Sequence, residues 1–139
     1  ERPLFTPRIR SFSMSQVFDY GSWLPSPPYR VYSKSTDIVR PANTMVFIDE
    51  HPDSINDAAF AAAMVDPSAT SGFIVDIPAS HHRGGGTFSF ADGHVDLHKW
   101  IGQTIQSDER FNNSLPLNVP ARDSLVDVKW ISENTTVRQ

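Results

Sequence analysis

The stretch His82-Arg-Gly-Gly-Gly-Thr-Phe-Ser-Phe-Ala-Asp-Gly-His-Val-Asp-Leu-His-Lys-Trp100 decides the fold of this chain. Two alternating runs flank Asp92-Gly93, a dipeptide suited to the positive-φ centres of a two-residue hairpin turn. The spacing therefore predicts a β-hairpin near residues 87–98. With Asp92 and Gly93 as the turn, Ala91 faces His94, Phe90 faces Val95, Ser89 faces Asp96 and Phe88 faces Leu97. Alternation then gives Phe88, Phe90, Val95 and Leu97 one face, the core side. Ser89, Ala91, His94, Asp96 and His98 take the other. Trp100 and Ile101 extend the apolar side, and Gly84, Gly85 and Gly86 let the chain enter the first arm by close approach.

Outward from the hairpin, strands predominate. Residues 44–48 form a nearly continuous apolar run, the pattern of a central strand buried on both faces. Residues 72–77 read as another strand ended by Pro78, and residues 125–131 alternate as a final one. Residues 8–17 alternate more weakly, with neither face purely apolar. Residues 59–63 lean towards helix, and residues 99–106 read as one short helical piece. The class is mainly β (α+β): an antiparallel sheet with little helix. One domain spans residues 1–139, with a flexible polar tail over 132–139.

Composition bounds the function. Of the 139 residues 39% are hydrophobic and 20% charged, which is globular rather than disordered. A net charge of -4 argues against nucleic acid or an anionic membrane as the main partner. The lack of cysteine excludes disulfides and thiolate metal sites, and leaves the compartment open. No apolar run is long enough for a membrane span within this chain.

A second segment carries chemistry. The apolar run at 44–48 passes straight into Asp49, Glu50, His51, Asp53, Asn56 and Asp57, and strand-end loops are where scaffolds present polar groups. The sharpest chemical hypothesis is a divalent metal site. Its candidate ligands are His82, Asp92, His94, Asp96 and His98 around the hairpin, completed by Glu50, His51, Asp53 and Asp57 from the loop. Mixed imidazole and carboxylate donors suit zinc. A carboxylate subset of Glu50, Asp53, Asp57 and Asp92 suits calcium. Against this, the same side chains can simply solvate a hairpin face, with Asp92 only a turn residue. The loop acids also offer a carboxylate pair for glycoside hydrolysis. Ser80-His81-His82 lacks the Gly-x-Ser-x-Gly elbow of a hydrolase, and the glycine run is followed by a strand rather than by the helix of a phosphate loop. Trp23, Tyr29 and Tyr32 offer a stacking platform for carbohydrate, or core packing.

His82, nine residues and then Asp92-Gly93 form a His-x9-Asp-Gly pattern. Asp-Glu-His-Pro-Asp-Ser-Ile-Asn-Asp at 49–57, Pro-Ala-Ser-His-His at 78–82 and Phe-Ala-Asp-Gly-His at 90–94 accompany it. In these blocks the chain resembles the prepilin-type, processing-associated His-x9-Asp-Gly proteins, pseudopilin-like proteins of planctomycetes and verrucomicrobia, over roughly residues 29–101. Ala58 stands where that family often has glycine, and Arg83 where asparagine is frequent.

The resemblance implies a precursor whose long N-terminal apolar helix anchors it in the inner membrane and packs into a filament, with this chain as the soluble C-terminal head. It also implies a periplasmic or cell-surface location. The expected partners are other pilin-like subunits or the protein's own N-terminal segment. The first functional expectation is thus a non-enzymatic structural subunit of a type II secretion or type IV pilus-like system. A metal-dependent enzyme built on the His/Asp cluster and an extracellular carbohydrate-binding module are the alternatives. A head of this kind predicts an apolar patch on its sheet where a helix would pack.

Overall fold

Among the residues described by the computed structural model (10–18, 24–25, 28–112 and 117–139), strands outnumber helices as expected. They are β1 (Phe12–Ser15), β2 (Met45–Asp49), β3 (Ala59–Phe60), β4 (Phe73–Ile74), β5 (Gly85–Phe90), β6 (Val95–Lys99) and β7 (Val119–Pro120). The helix α1 spans Leu125–Glu133. Five strands form one sheet in the order β3-β1-β2-β5-β6, and β4 pairs with β7 in a second, two-stranded sheet. All pairings are antiparallel except β1 with β3. The mainly β class stands, and the large sheet is mixed.

Strand β2 is central, as its apolar run predicts, but it is not buried on both faces. Met45 and Ile48 lie in the core, whereas Phe47 faces outward. The register to β5 shifts between Met45 and Phe47, and this irregularity turns two residues three apart to the same side. The core beneath the sheet joins Met45, Ile48, Phe88 and Phe90 to Ile77, Trp100, Val128 and Ile131.

The hairpin forms where expected, with its register one residue away from the expected pairing. Phe88 pairs with Asp96 and Ser89 with Val95. Phe90 N donates to His94 O, and Gly93 N to Phe90 O. The loop thus has three residues, Ala91, Asp92 and Gly93, with Gly93 in the left-handed region at φ 96°. Because alternation has period two, this single step moves Val95 and Leu97 to the solvent side, away from Phe88 and Phe90. Asp96 and His98 fall on the Phe88 side instead.

Other expectations are corrected. Residues 125–131 are helix, because the buried positions in and beside this stretch, Ser124, Asp127, Val128, Ile131, Ser132 and Thr135, recur at helical spacing. Residues 59–63 contribute β3 rather than helix: Ala59 and Phe60 pair in parallel with Met14 and Ser15, and just after β1 Gln16 Nε2 donates to Ala62 O. Residues 100–106 carry no helix; Asp123, Ser124 and Asp127 bind their amides one after another. Of the expected strand at 72–77 only β4 is paired, and its partner is β7 (Val119–Pro120).

The tail over 132–139 is packed rather than loose. Ser132, Asn134, Thr135 and Thr136 are buried, and Met45 N donates to Asn134 O. Arg30 N donates to Val137 O, and Gln139 N to Pro28 O. Tyr29 and Tyr32 are buried with Val17 and Leu24 in a second apolar cluster. They therefore present no carbohydrate platform, and Trp23 lies outside the described residues.

Candidate functional site

Three segments meet where β2 ends. The first is residues 49–54, the second the turn 78–84 leading into β5, and the third the loop 107–112. Backbone bonds lock the first two together: Ala79 N donates to Asp49 O and His51 N to Ile77 O. Side chains hold the third. The Asp53 carboxylate accepts the amides of Arg110 (2.6 Å) and Asn112 (2.7 Å). Asp53 N in turn donates to His51 Nδ1, which leaves Nε2–H of His51 to donate to Ser107 O at 3.1 Å. His51 and Asp53, both expected as ligands, are buried framework groups.

Glu50 is framework as well. Its carboxyl is buried, accepting the Ser54 hydroxyl at 3.1 Å and the Ser13 hydroxyl. Burial pushes its pKa up to about 7, Asp76 nearby pushes the same way, and the serine hydroxyls oppose both. Asp57 caps the Ala59 amide.

What converges at the surface is Asp49, His81, His82 and Glu109. Asp49 Oδ2 lies 2.9 Å from His82 Nε2 and 3.3 Å from His81 Nε2. Nδ1 of His81 lies 2.8 Å from Glu109 Oε1. The two rings sit 4.5 Å apart. A cleft of about 380 Å³ opens beside them, lined by Ser11, Glu50, His81, Glu109 and Phe111 among others.

The turn that presents His82 is tight. Arg83 (φ 56°) and Gly84 (φ 76°) are successive left-handed residues, and Gly84 N donates to Ser80 O. A long side chain is disfavoured in that conformation, whereas asparagine tolerates it. Arg83→Asn is expected to raise stability by about 0.5 kcal/mol, read as a rise of roughly 2 °C in Tm. A fall in Tm would mean that the arginine side chain contributes more than its backbone costs.

The hairpin residues are not part of this convergence. Asp92 accepts the amide and ring Nδ1 of His94 at the exposed tip; those two bonds hold its carboxyl below the usual range. The His94 ring stacks on Phe90 at 4.3 Å. Asp96 is exposed and bonded to the neighbouring Leu97 amide. His98 stacks on Trp130 at 3.7 Å and meets Trp100 edge-on, and burial lowers its pKa. The changed register turns His98 towards the core, so His94, Asp96 and His98 do not meet at one point. Among the described residues, the His/Asp/Glu group of three close enough to share an ion is Asp49, His81 and His82.

His82 and the 49–57 loop were thus legible as neighbours. Of the converging groups only His82 was among the expected ligands; Asp49 and His81 were not named as such, and Glu109 was not legible at all, since its place depends on the inward grip of His51 and Asp53 on loop 107–112. No described helix is long and apolar enough to cross a membrane. No family model, no curated protein and no solved structure matches this chain.

Proposed function

We propose that this chain is the head of a pilin-like structural subunit, not an enzyme, and that its large sheet docks an amphipathic helix on its outer face. The observation that supports this reading is the inverted polarity of that face. On β1, Ser13 and Ser15 are 1% exposed while Phe12 and Met14 are 54% and 38% exposed. Phe47 (41%) meets Phe12 edge-on at 5.7 Å. Val95 (64%) and Leu97 (45%) add a second apolar group on β6, beyond Thr87 and Ser89 of β5. Register aligns Met14, Phe47, Ser89 and Val95 in one row across four strands.

A sheet face meant for water carries polar residues on its wet side; large exposed apolar side chains on β1, β2 and β6, interrupted on β5 by Thr87 and Ser89, favour a partner surface. Covering the part of each of these side chains that is still exposed is worth about 0.5–1.5 kcal/mol. The occupant in this reading is a helix from the protein's own N-terminal segment or from a neighbouring subunit, in the periplasm or at the cell surface.

The chain has no cysteine, so single introduced thiols report cleanly. Phe47→Cys and Val95→Cys are expected to react with maleimide in the isolated domain and to be protected in intact cells. Glu133→Cys, exposed on α1 beneath the sheet, should react in both. Equal reactivity of all three in cells would refute the docking surface.

A further inference from the structure

We propose that Asp49, His81 and His82 bind one divalent transition-metal ion of the zinc class, with Glu109 orienting His81. The inference is independent of what covers the sheet.

Hydrogen counting motivates it. A neutral imidazole carries one N–H, and a carboxylate only accepts. At His81 both ring nitrogens face carboxylates: Nδ1 lies 2.8 Å from Glu109 and Nε2 lies 3.3 Å from Asp49. Once Nδ1–H is donated to Glu109, Nε2 turns a lone pair towards an anionic oxygen. A cation between Nε2 and Asp49 Oδ2 removes that conflict and gives His82 Nε2, 2.9 Å from the same oxygen, a shared target.

The dimensions fit. One donor atom from each residue lies within 4.8 Å of the others. Donors about 2.0–2.1 Å from a tetrahedral zinc ion are roughly 3.3 Å apart, so the triangle needs only a small adjustment. A metal-bound histidine usually donates its far N–H to a carboxylate, and Glu109 fills that role for His81.

The scaffold is rigid here. Asp49 closes a central strand, and the left-handed turn at Arg83 and Gly84 fixes His82. Two imidazoles and one carboxylate favour zinc, cobalt or nickel over calcium, which seeks six to eight oxygens. Three protein donors leave one position for water, consistent with the half-exposed histidine side chains.

The test is calorimetric titration of zinc chloride into tag-free, chelator-treated protein. One ion per chain is expected. His81→Ala and His82→Ala should each weaken binding by about 100-fold or more, and Glu109→Gln by at least about 10-fold. His94→Ala should change nothing, and excess calcium should not compete. Absence of zinc binding, or binding unchanged in His82→Ala, overturns the proposal. Should the alanine variants fail to fold, cobalt(II) added to wild-type protein localises the ion without mutation. NMR signals of the His81 and His82 rings should shift or broaden first. If His94 responds first, or if His81 and His82 prove to be doubly protonated and indifferent to cobalt, the site is an ion-pair cluster and the proposal fails.

Discussion

Gly102→Ala is expected to cost about 4 kcal/mol, lowering Tm by more than about 10 °C, or to prevent folding altogether. A Cβ built at this position would sit 2.1 Å from Ser124 Oγ, 2.4 Å from Ser124 Cα and 2.6 Å from its N. Two of these atoms are backbone and cannot rotate away, so the chain entering α1 must retreat. That retreat breaks an unusual set of bonds. Asp127 accepts the amides of Ile101 and Gly102, and Asp123 those of Gln103 and Thr104. Ser124 Oγ accepts the amide of Ile105. Five successive amides are satisfied by three side chains; those of Gly102 and Ile105 are buried, and a buried amide left without a partner costs about 1–3 kcal/mol. Urea denaturation measures the effect. A loss below about 1 kcal/mol would show that α1 can shift without penalty, against the packing described.

Glu50→Gln is expected to stabilise the protein at pH 8 by about 2–3 kcal/mol and to have little effect at pH 4.5. Burial raises the Glu50 carboxyl to about 7 and the Asp76 carboxyl to about 6 in the folded state. Folding therefore takes up protons between the unfolded values and these. The cost of burying the charged forms is absent below about pH 4 and complete above about pH 7, so stability falls as pH rises through that window. His98 acts in the opposite sense. Burial lowers its pKa, so it contributes stability above its ordinary value and loses it as pH falls. Comparing Glu50→Gln with wild type at each pH cancels His98 and the exposed carboxylates. Measurements made with chelator present keep any metal at neighbouring Asp49 out of the comparison. Equal effects at the two pH values would mean that folding does not raise the Glu50 carboxyl.

The hairpin was legible because Asp92-Gly93 between alternating arms has few other uses. Its register was not, since the same dipeptide fits a two- or a three-residue loop. Apolar Val95 and Leu97 drew the pattern to the wrong face. What the sequence cannot display is that this sheet keeps greasy residues outside and serines inside: Ser13 and Ser15 are buried, while Phe12 and Phe47 are exposed. Helix α1 escaped for a related reason. Its buried stripe includes Asp127, Ser132 and the following Thr135, so hydrophobicity alone understates the helical period. At the candidate site, the blocks at 49–57 and 78–82 announced their proximity. Which of their acids and histidines point inward was decided by tertiary partners: Ser13 for Glu50, Ser107 for His51 and the loop amides for Asp53.

The seam between residues 28–30 and 137–139 bears on the order in which the molecule assembles. Tyr29 and Arg138, 109 positions apart, pair as a bridge, with the guanidinium 5.4 Å from the ring centre. Closing so long a loop from an open chain costs about 4 kcal/mol in entropy, more than a few hydrogen bonds return. The seam can form only after the sheet has brought its ends together, so amide exchange at Arg30 and Gln139 should be the first to quicken as the protein is destabilised.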